Sequence, residues 1–256
     1  MLVRQSEWSF FKSALMAGVA VVALTGAATM AQACSIGDVN LCGNFNISVY
    51  QGPGGGDSAK PQNQADLGNP AAMLAAGGYF LGSGSYSGDI NFGIPATGTN
   101  QVGAFLQSGG GTAASFTPTS GADLWTSTAT LSTRDNGPGF VFTSVFVIKG
   151  NLGAGTGAGT ITHDDGATIW DGAGFVGGAA FPNSLTSQIY SGLTGSYEIV
   201  YVEANGLPAN LVVTNPGGAL SDVPLPAALP LFAAGLGVMG LFARRRKRNA
   251  AAIAAA

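Results

Sequence analysis

One short segment carries three acidic residues close enough in sequence to bind a cation together. The segment, 161–172, reads ITHDDGATIWDG, and it places Asp164, Asp165 and Asp171 within eight residues. A hard cation such as Ca²⁺ takes several oxygen ligands, so a turn that directs adjacent Asp side chains to one point could bind it. The same residues could instead form two Asx turns on either side of a short strand. From the residues alone, both interpretations stay open.

Other catalytic patterns in the chain are weak. His163 is the single histidine, and no G-x-S-x-G stretch is present. Gly172–Gly177 (GAGFVG) has dinucleotide-type spacing, but Pro182 would end a following helix after about one turn. Glu198 and Glu203 are five positions apart, an odd number, so on one strand they point to opposite faces. We therefore predict no catalytic residues and no enzyme activity, with a secreted hydrolase that uses His163 as the alternative.

The N-terminal segment has the organisation of an export signal. Two bases precede an apolar run over 13–30, which ends in an A-x-A pattern: Arg4, Lys12 and Ala31-Gln32-Ala33. This order predicts a signal peptide over residues 1–33, cut by signal peptidase between Ala33 and Cys34. A lipoprotein with Cys34 as its modified first residue is the alternative.

The C-terminal segment has the composition of a membrane span. Residues 225–243 contain no charged side chain and are followed by Arg244, Arg245, Arg246, Lys247 and Arg248. At about 1.5 Å per residue, a helix of this length just crosses a hydrocarbon core of roughly 30 Å. The pattern predicts a transmembrane helix over 225–243 whose basic end stays in the cytoplasm. A buried core helix and a permanent single-pass anchor are the alternatives.

A proline-containing motif directly precedes the predicted transmembrane helix. Val223, Pro224, Leu225, Pro226 and Ala227, then the apolar run and the bases, resemble the VPLPA-CTERM class of PEP-CTERM sorting signals. The resemblance implies that an exosortase, a membrane cysteine transpeptidase-like enzyme, cuts near the prolines and releases the ectodomain. Such systems accompany exopolysaccharide production in Gram-negative bacteria. It therefore implies an inner-membrane intermediate and a final place at the cell surface or outside the cell.

The part between the two signals, residues 34–222, is acidic. Three bases oppose ten Asp and two Glu, which leaves a formal charge of −9. Such a surface repels phosphate backbones, so a nucleic-acid partner is not expected. Cys34 and Cys42 are the only cysteines, and in an oxidising periplasm we predict a disulfide between them.

The hydrophobic pattern of residues 34–222 predicts an antiparallel β-sandwich ectodomain. Phe140–Ile148 (FVFTSVFVI) is β-branched and aromatic almost throughout, and Asp123–Arg134 would pair with it as a hairpin. We predict further strands at 46–50, 85–92, 160–170 and 197–202, a short helix at 71–76, and loops at 51–56 and 107–112.

A second resemblance concerns residues 160–214. "HDDG" and "WDG", followed by "YEIVYVEANGLPANLVV", are similar to the protective-antigen-type β-sandwich of bacterial toxins, glycosidase appendages and yeast adhesins. The resemblance implies Asp164 and Asp165 as Ca²⁺ ligands, Asn205 as a supporting amide, and a cation that bridges to sugar hydroxyls. Four residues separate Gly166 from Asp171, where the family commonly has five.

Together these patterns predict an exported surface or extracellular-matrix protein that acts in adhesion or exopolysaccharide and biofilm association. Calcium-assisted glycan binding, with extracellular polysaccharide as the partner, is its predicted mode of contact. A structural matrix protein without a ligand is the alternative.

Overall fold

A computed structural model describes residues 40–118, 123–135 and 139–215. The predicted signal peptide (1–33), Cys34, the sorting motif Val223–Ala227, the helix at 225–243 and the basic residues 244–248 lie outside these ranges. Within them, no helix has both the length and the hydropathy needed to cross a membrane. Cys42 is disulfide-bonded, and its pairing with Cys34 stays a prediction.

Strands dominate the described ranges, and the two α-helices there are one to two turns long. The strands are β1 (Cys42–Pro53), β2 (Tyr79–Asp89), β3 (Asn91–Ile94), β4 (Thr112–Pro118), β5 (Thr133–Arg134), β6 (Phe140–His163), β7 (Gly166–Asp171), β8 (Gly174–Ala179), β9 (Thr186–Glu203) and β10 (Ala209–Val213). The helices are α1 (Asn69–Ala75) and α2 (Val102–Ser108), with 3₁₀ turns at Pro61–Asn63 and Leu124–Thr126.

The strands form one curled antiparallel sheet in the order β4-β2-β1-β6-β9-β7-β8, with β10 pairing with β3 and β6, and β5 pairing with β6. The predicted mainly-β, antiparallel class is confirmed, and within the described ranges the strands belong to one continuous curled sheet instead of two separate ones. The long strand β6 explains this difference. Its first half pairs with β1 and its last residues with β10, while β9 follows it along the other side. Hydrogen bonding therefore continues through register shifts after Asn151 and Gly157, which is what β-bulges allow.

The two faces of β6 and β9 bury two hydrophobic clusters. One face carries Phe146 and Tyr201, which pack against Phe105 of α2 at ring-centroid distances of 5.0 and 5.4 Å. The opposite face carries a smaller cluster with four valines, covered by Ala65 and by Met73 of α1: Val145, Val147, Val200 and Val202. Burial on both faces explains why 140–148 is apolar at almost every position.

Several local predictions were wrong. Asp123–Arg134 is not a continuous strand, because the Asp123 side chain accepts a hydrogen bond from Trp125 N and caps a 3₁₀ turn. Only β5 within that segment pairs with β6. The predicted loop at 51–56 contains the end of β1, and the predicted loop at 107–112 begins inside α2. The predicted strand at 160–170 is interrupted between β6 and β7.

Candidate functional site

The interruption between β6 and β7 is the Asp164-Asp165 turn. Asp165 has φ +68°, a left-handed conformation that is uncommon for a residue with a side chain. Gly166 follows, and a Cβ there would lie 2.3 Å from the Ala180 carbonyl oxygen, so only glycine fits. Both residues are buried, Asp164 being 7 % exposed and Asp165 1 %. The sequence DDG thus makes a strained turn that holds two acidic groups away from water.

The Asp165 carboxylate is bound by the loop that follows β9. Its Oδ2 accepts hydrogen bonds from Ala204 N at 2.7 Å and from Asn205 N at 3.0 Å. Its Oδ1 accepts a bond from the Asn205 side-chain amide. The structure therefore brings together two of the predicted site residues, Asp165 and Asn205. Because Asn205 uses its Nδ2 here, its amide oxygen lies on the other side of the same planar group.

The turn backbone is also tied to two asparagines. Asp165 N donates to Asn183 O at 2.7 Å, and Asp164 N donates to Asn210 O at 3.0 Å. The side-chain oxygens of Asn183 and Asn210 are buried and make no hydrogen bond, and the same is true of His163 Nε2. A buried polar atom without a partner costs free energy. Three such atoms on residues in or directly bonded to one turn fit a site that a water or a ligand completes.

Burial controls the pKa values of the turn. Desolvation raises the pKa of Asp165 to about 6, although hydrogen bonds from Ala204, Asn205 and Glu203 lower it, and the nearby Asp164 charge raises it further. Desolvation also raises the pKa of Asp164. Within the described ranges, no base lies within ion-pair distance of either carboxylate. Without a cation, the turn therefore resists carrying its full negative charge.

A buried network behind the turn was not predicted. Glu203 is fully buried, and its two carboxylate oxygens accept hydrogen bonds from Ser132 Oγ at 2.9 Å and Tyr201 OH at 2.7 Å. Desolvation and the neighbouring Asp165 raise the pKa of Glu203 well above its ordinary value. The odd spacing of Glu198 and Glu203 did predict their opposite faces. It gave no sign that Glu203 sits beside Asp165, because that proximity depends on the pairing of β7 with β9.

His163 does not have the surroundings of a general base. Its ring is 0 % exposed, and Nδ1 donates to the Asp165 carbonyl oxygen at 2.6 Å. Burial lowers the pKa of His163, so the ring stays neutral. In this conformation no substrate reaches the ring, which disfavours the hydrolase alternative. Gly172–Gly177 lies in the β7–β8 hairpin, where no helix follows the glycines.

The third acidic residue of the segment lies apart from the turn. Asp171 ends β7, where its Oδ1 accepts from Ala173 N at 2.8 Å and its Oδ2 from Thr194 N at 3.1 Å. These hydrogen bonds lower the pKa of Asp171. Asp171 thus forms an Asx-type turn, while Asp164 and Asp165 do not share it.

The donor set at the turn suits a hard cation of the calcium type. It offers two carboxylates and one amide, and Ca²⁺ accepts carboxylate, amide, carbonyl and water oxygens in flexible geometry. Among the described residues, no group of three or more His, Cys, Asp and Glu side chains could hold a metal. A cation at this turn would therefore take its remaining ligands from backbone carbonyls, water or a bound molecule.

Comparisons with known proteins locate one motif and several structural neighbours. Residues 222–247 match the PEP-CTERM protein-sorting motif, so the predicted sorting signal is confirmed. None of the curated proteins compared matches the chain. The structure is similar to the PA14 sugar-binding domain from an RTX adhesin, with 16 % identity, 71 % of this chain and 100 % of that chain covered, and a TM-score of 0.39.

Two further solved structures are similar at the same level. The PA14 domain of the MpAFP antifreeze protein has 14 % identity, covers 76 % of this chain and 100 % of its own, and has a TM-score of 0.38. The epithelial adhesin 6 A domain from Candida glabrata, in complex with Galb1-3GlcNAc, has 13 % identity, covers 72 % and 87 %, and has a TM-score of 0.37.

Proposed function

We propose that the protein is an exported surface or extracellular-matrix protein that contacts a glycan through Ca²⁺ held at the Asp164-Asp165 turn. The PEP-CTERM motif indicates export, exosortase processing and surface sorting in a Gram-negative bacterium. One observation carries the calcium part of the proposal. Two buried carboxylates share a strained turn with no basic partner in the described ranges, and one of them is fixed by Asn205.

The electrostatics of the turn support a divalent cation as the missing partner. Burial raises the pKa values of Asp164 and Asp165, and a bound cation would reverse that effect by favouring the ionised forms. The protein would supply Asp164 and Asp165 as ligands, with Asn205 as the supporting amide that holds Asp165. Open coordination positions on such an ion can be filled by sugar hydroxyls, which is the contact implied by the sequence resemblance of residues 160–214.

Calcium titration by calorimetry tests the metal site directly. We expect binding in the range of extracellular modules, roughly 10⁻⁴–10⁻³ M, and loss of the heat in Asp164→Asn and Asp165→Asn. Asp171→Asn is the matched control, because Asp171 lies at the far end of β7 and bonds to Ala173 and Thr194. If the parent protein gives no heat, or if Asp171→Asn removes it equally, the calcium site is refuted.

Retention on extracellular polysaccharide tests the function that the site would serve. We expect Ca²⁺ to increase the retention of the protein on exopolysaccharide from the producing bacterium, and EDTA to remove that increase. Asp165→Asn should show no Ca²⁺-dependent increase, while Asp171→Asn should show the same increase as the parent. Retention that is unchanged both by EDTA and by Asp165→Asn would contradict a calcium-assisted contact.

A structural matrix protein is the second candidate, and the hydrogen bonds of Asp165 favour it specifically. The three bonds from Ala204 and Asn205 would tie the turn to the β9–β10 loop even if no ligand ever bound. This candidate predicts that Asp165→Asn lowers the melting temperature while calcium changes neither the heat nor the melting temperature of the parent. We propose a binding or structural role and no enzymatic one.

The processing steps are tested by the intact mass of the protein from the extracellular or surface fraction. We expect loss of residues 1–33 to signal peptidase and loss of the C-terminal segment after an exosortase cut near Val223–Ala227. A mature species that keeps Arg244–Arg248 would instead identify a permanent membrane anchor.

A further inference from the structure

A row of polar and aromatic side chains crosses four neighbouring strands, far from the Asp164-Asp165 turn. Asn46 of β1 pairs with Lys149 of β6, Lys149 pairs with Glu198 of β9, and Glu198 pairs with Trp170 of β7. Directly paired residues project from the same face of a sheet. With strands about 4.8 Å apart, the row is about 14 Å long. Asn151 and Ser196, also paired, begin a second row beside it.

This row lies where the cover of the sheet ends. The same face of β6 and β9 buries the valine cluster under Ala65 and Met73. Beyond Leu67, which is 49 % exposed, no described segment covers it, and a groove of about 500 Å³ opens. The groove is lined by polar and aromatic residues that include Asn44, Asn46, Lys149, Asn151, Trp170, Asp171 and Glu198.

The side chains in the middle of the row and at its Trp170 end make defined contacts. Lys149 Nζ lies 3.0 Å from Glu198 Oε2. The Trp170 ring meets Phe175 edge-on with centroids 5.2 Å apart, and its Nε1 donates to Thr168 Oγ1 at 2.8 Å. Thr168 Oγ1 in turn donates to Ala65 O at 2.6 Å. The indole is thus oriented before any ligand arrives, which reduces the entropy lost on binding.

The chemistry of the groove selects one class of ligand. The charges of Lys149 and Glu198 pair with each other, and Asp171, which also lines the groove, adds one negative charge, so the groove does not attract an anionic polymer. The acidic ectodomain as a whole repels polyanions. Asparagine amides and an ion pair offer hydrogen-bond donors and acceptors side by side. A sugar hydroxyl can both donate and accept a hydrogen bond, so it can pair with either kind of group. An indole beside them offers an apolar surface to the C–H face of a pyranose ring.

From this geometry we infer that the Asn46–Lys149–Glu198–Trp170 row is a binding groove for a neutral polysaccharide chain. A short run of sugar rings lies across the strands, with hydroxyls on the amides and the ion pair and one ring against Trp170. The groove needs no metal and lies at the opposite end of β7 from the Asp164-Asp165 turn. It therefore does not depend on the calcium site of the proposed function.

The test is calorimetric titration of the full chain in EDTA, in a detergent without a sugar headgroup. The probes are dextran, laminarin and cello-oligosaccharides as neutral glucans, and alginate as an anionic polymer. We expect at least one neutral glucan to bind, and Trp170→Ala to weaken it about tenfold or more, as expected for a central aromatic contact. Glu198→Gln, which keeps the size of the side chain, should weaken it severalfold even if Trp170→Ala does not fold.

Two controls separate this groove from the rest of the surface. Ser187→Ala removes an exposed hydroxyl of β9 that bonds to Thr162, away from the groove, and should bind like the parent. Asp165→Asn should also bind like the parent, since the titration contains no calcium. The inference is overturned if no neutral glucan binds in EDTA, if only alginate binds, or if Glu198→Gln binds as tightly as Ser187→Ala. Loss of binding in Asp165→Asn alone would overturn it in favour of the turn.

Discussion

Replacing Asp165 by Asn should remove the part of the pH dependence of stability that the buried Asp165 carboxyl imposes. Burial raises the pKa of Asp165 from 3.8 to about 6. A carboxyl whose folded pKa is raised destabilises the fold above that pKa, where it must ionise while buried. The destabilisation disappears as the pH falls below the unfolded value, because both states are then protonated. A difference of about two pKa units corresponds to about 3 kcal/mol of unfolding free energy.

The measurement is equilibrium urea unfolding in EDTA, followed by tryptophan fluorescence, between about pH 7.5 and about pH 4. Over this range the unfolding free energy of the parent should rise by about 2 to 3 kcal/mol relative to Asp165→Asn. The comparison with the variant matters because His163, with its lowered pKa, loses stability on acidification in both proteins. Asp164 and Glu203, with raised pKa values, act in the same direction as Asp165. Parallel curves for the parent and Asp165→Asn would refute the burial argument.

Three further predictions concern the fold. Phe105→Ala should lower the unfolding free energy by about 3–5 kcal/mol, because the ring is fully buried between aromatic neighbours; a urea-unfolding loss under 1 kcal/mol would contradict that packing. Gly178→Ala should cost at least about 2 kcal/mol, since φ is +104° and the new Cβ would lie 2.2 Å from the Ala167 carbonyl oxygen. Gly172→Ala, which meets nothing within 4 Å, is its control in thermal unfolding, and equal melting temperatures would count against the close approach. Lys149→Ala should change the unfolding free energy by less than about 1 kcal/mol, because the Lys149 side chain is 59 % exposed; a larger, salt-sensitive loss would show that the ion pair is structural.

The sequence predicted those strands whose burial is evident from a run of adjacent apolar residues. The run 140–148 is apolar on both faces, and the structure buries both faces of β6 there. The continuation of β6 to His163 was not predicted as part of one strand. Residues 150–159 are rich in glycine, and only the pairing with β9 extends them. Local propensity therefore located the strand and missed its length.

Two other elements show where local patterns fail. The Thr-rich segment 123–134 has strand propensity, but the Asp123 cap and the burial of Leu124 and Leu131 select a 3₁₀ turn and extended chain. Helix α2 spans seven residues and contains Gly103. It is therefore too short for its apolar residues to show a helical period in the sequence. In each case, tertiary packing determined the secondary structure against the local sequence pattern.

The candidate site was predictable only in part. Asp164, Asp165 and Gly166 are adjacent in the chain, so their turn could be expected, and the resemblance of 160–214 suggested Asn205. Glu203 and Ser132 beside Asp165, and the row from Asn46 to Trp170, could not be found in this way. They come together only through the register of strands far apart in sequence.

The pairing of β10 has a mechanical consequence. Leu41 N donates to Val213 O at 2.6 Å, and Asn40 bridges Thr214, so both ends of the described domain meet at one point. Leu211 of β10 pairs with His163, directly before the Asp164-Asp165 turn. A pull on the chain beyond residue 215 would therefore reach the turn through a few residues of β10, without stretching the rest of the sheet. The position of the turn and the resistance of the domain to tension at its C-terminal end would then depend on the same short strand.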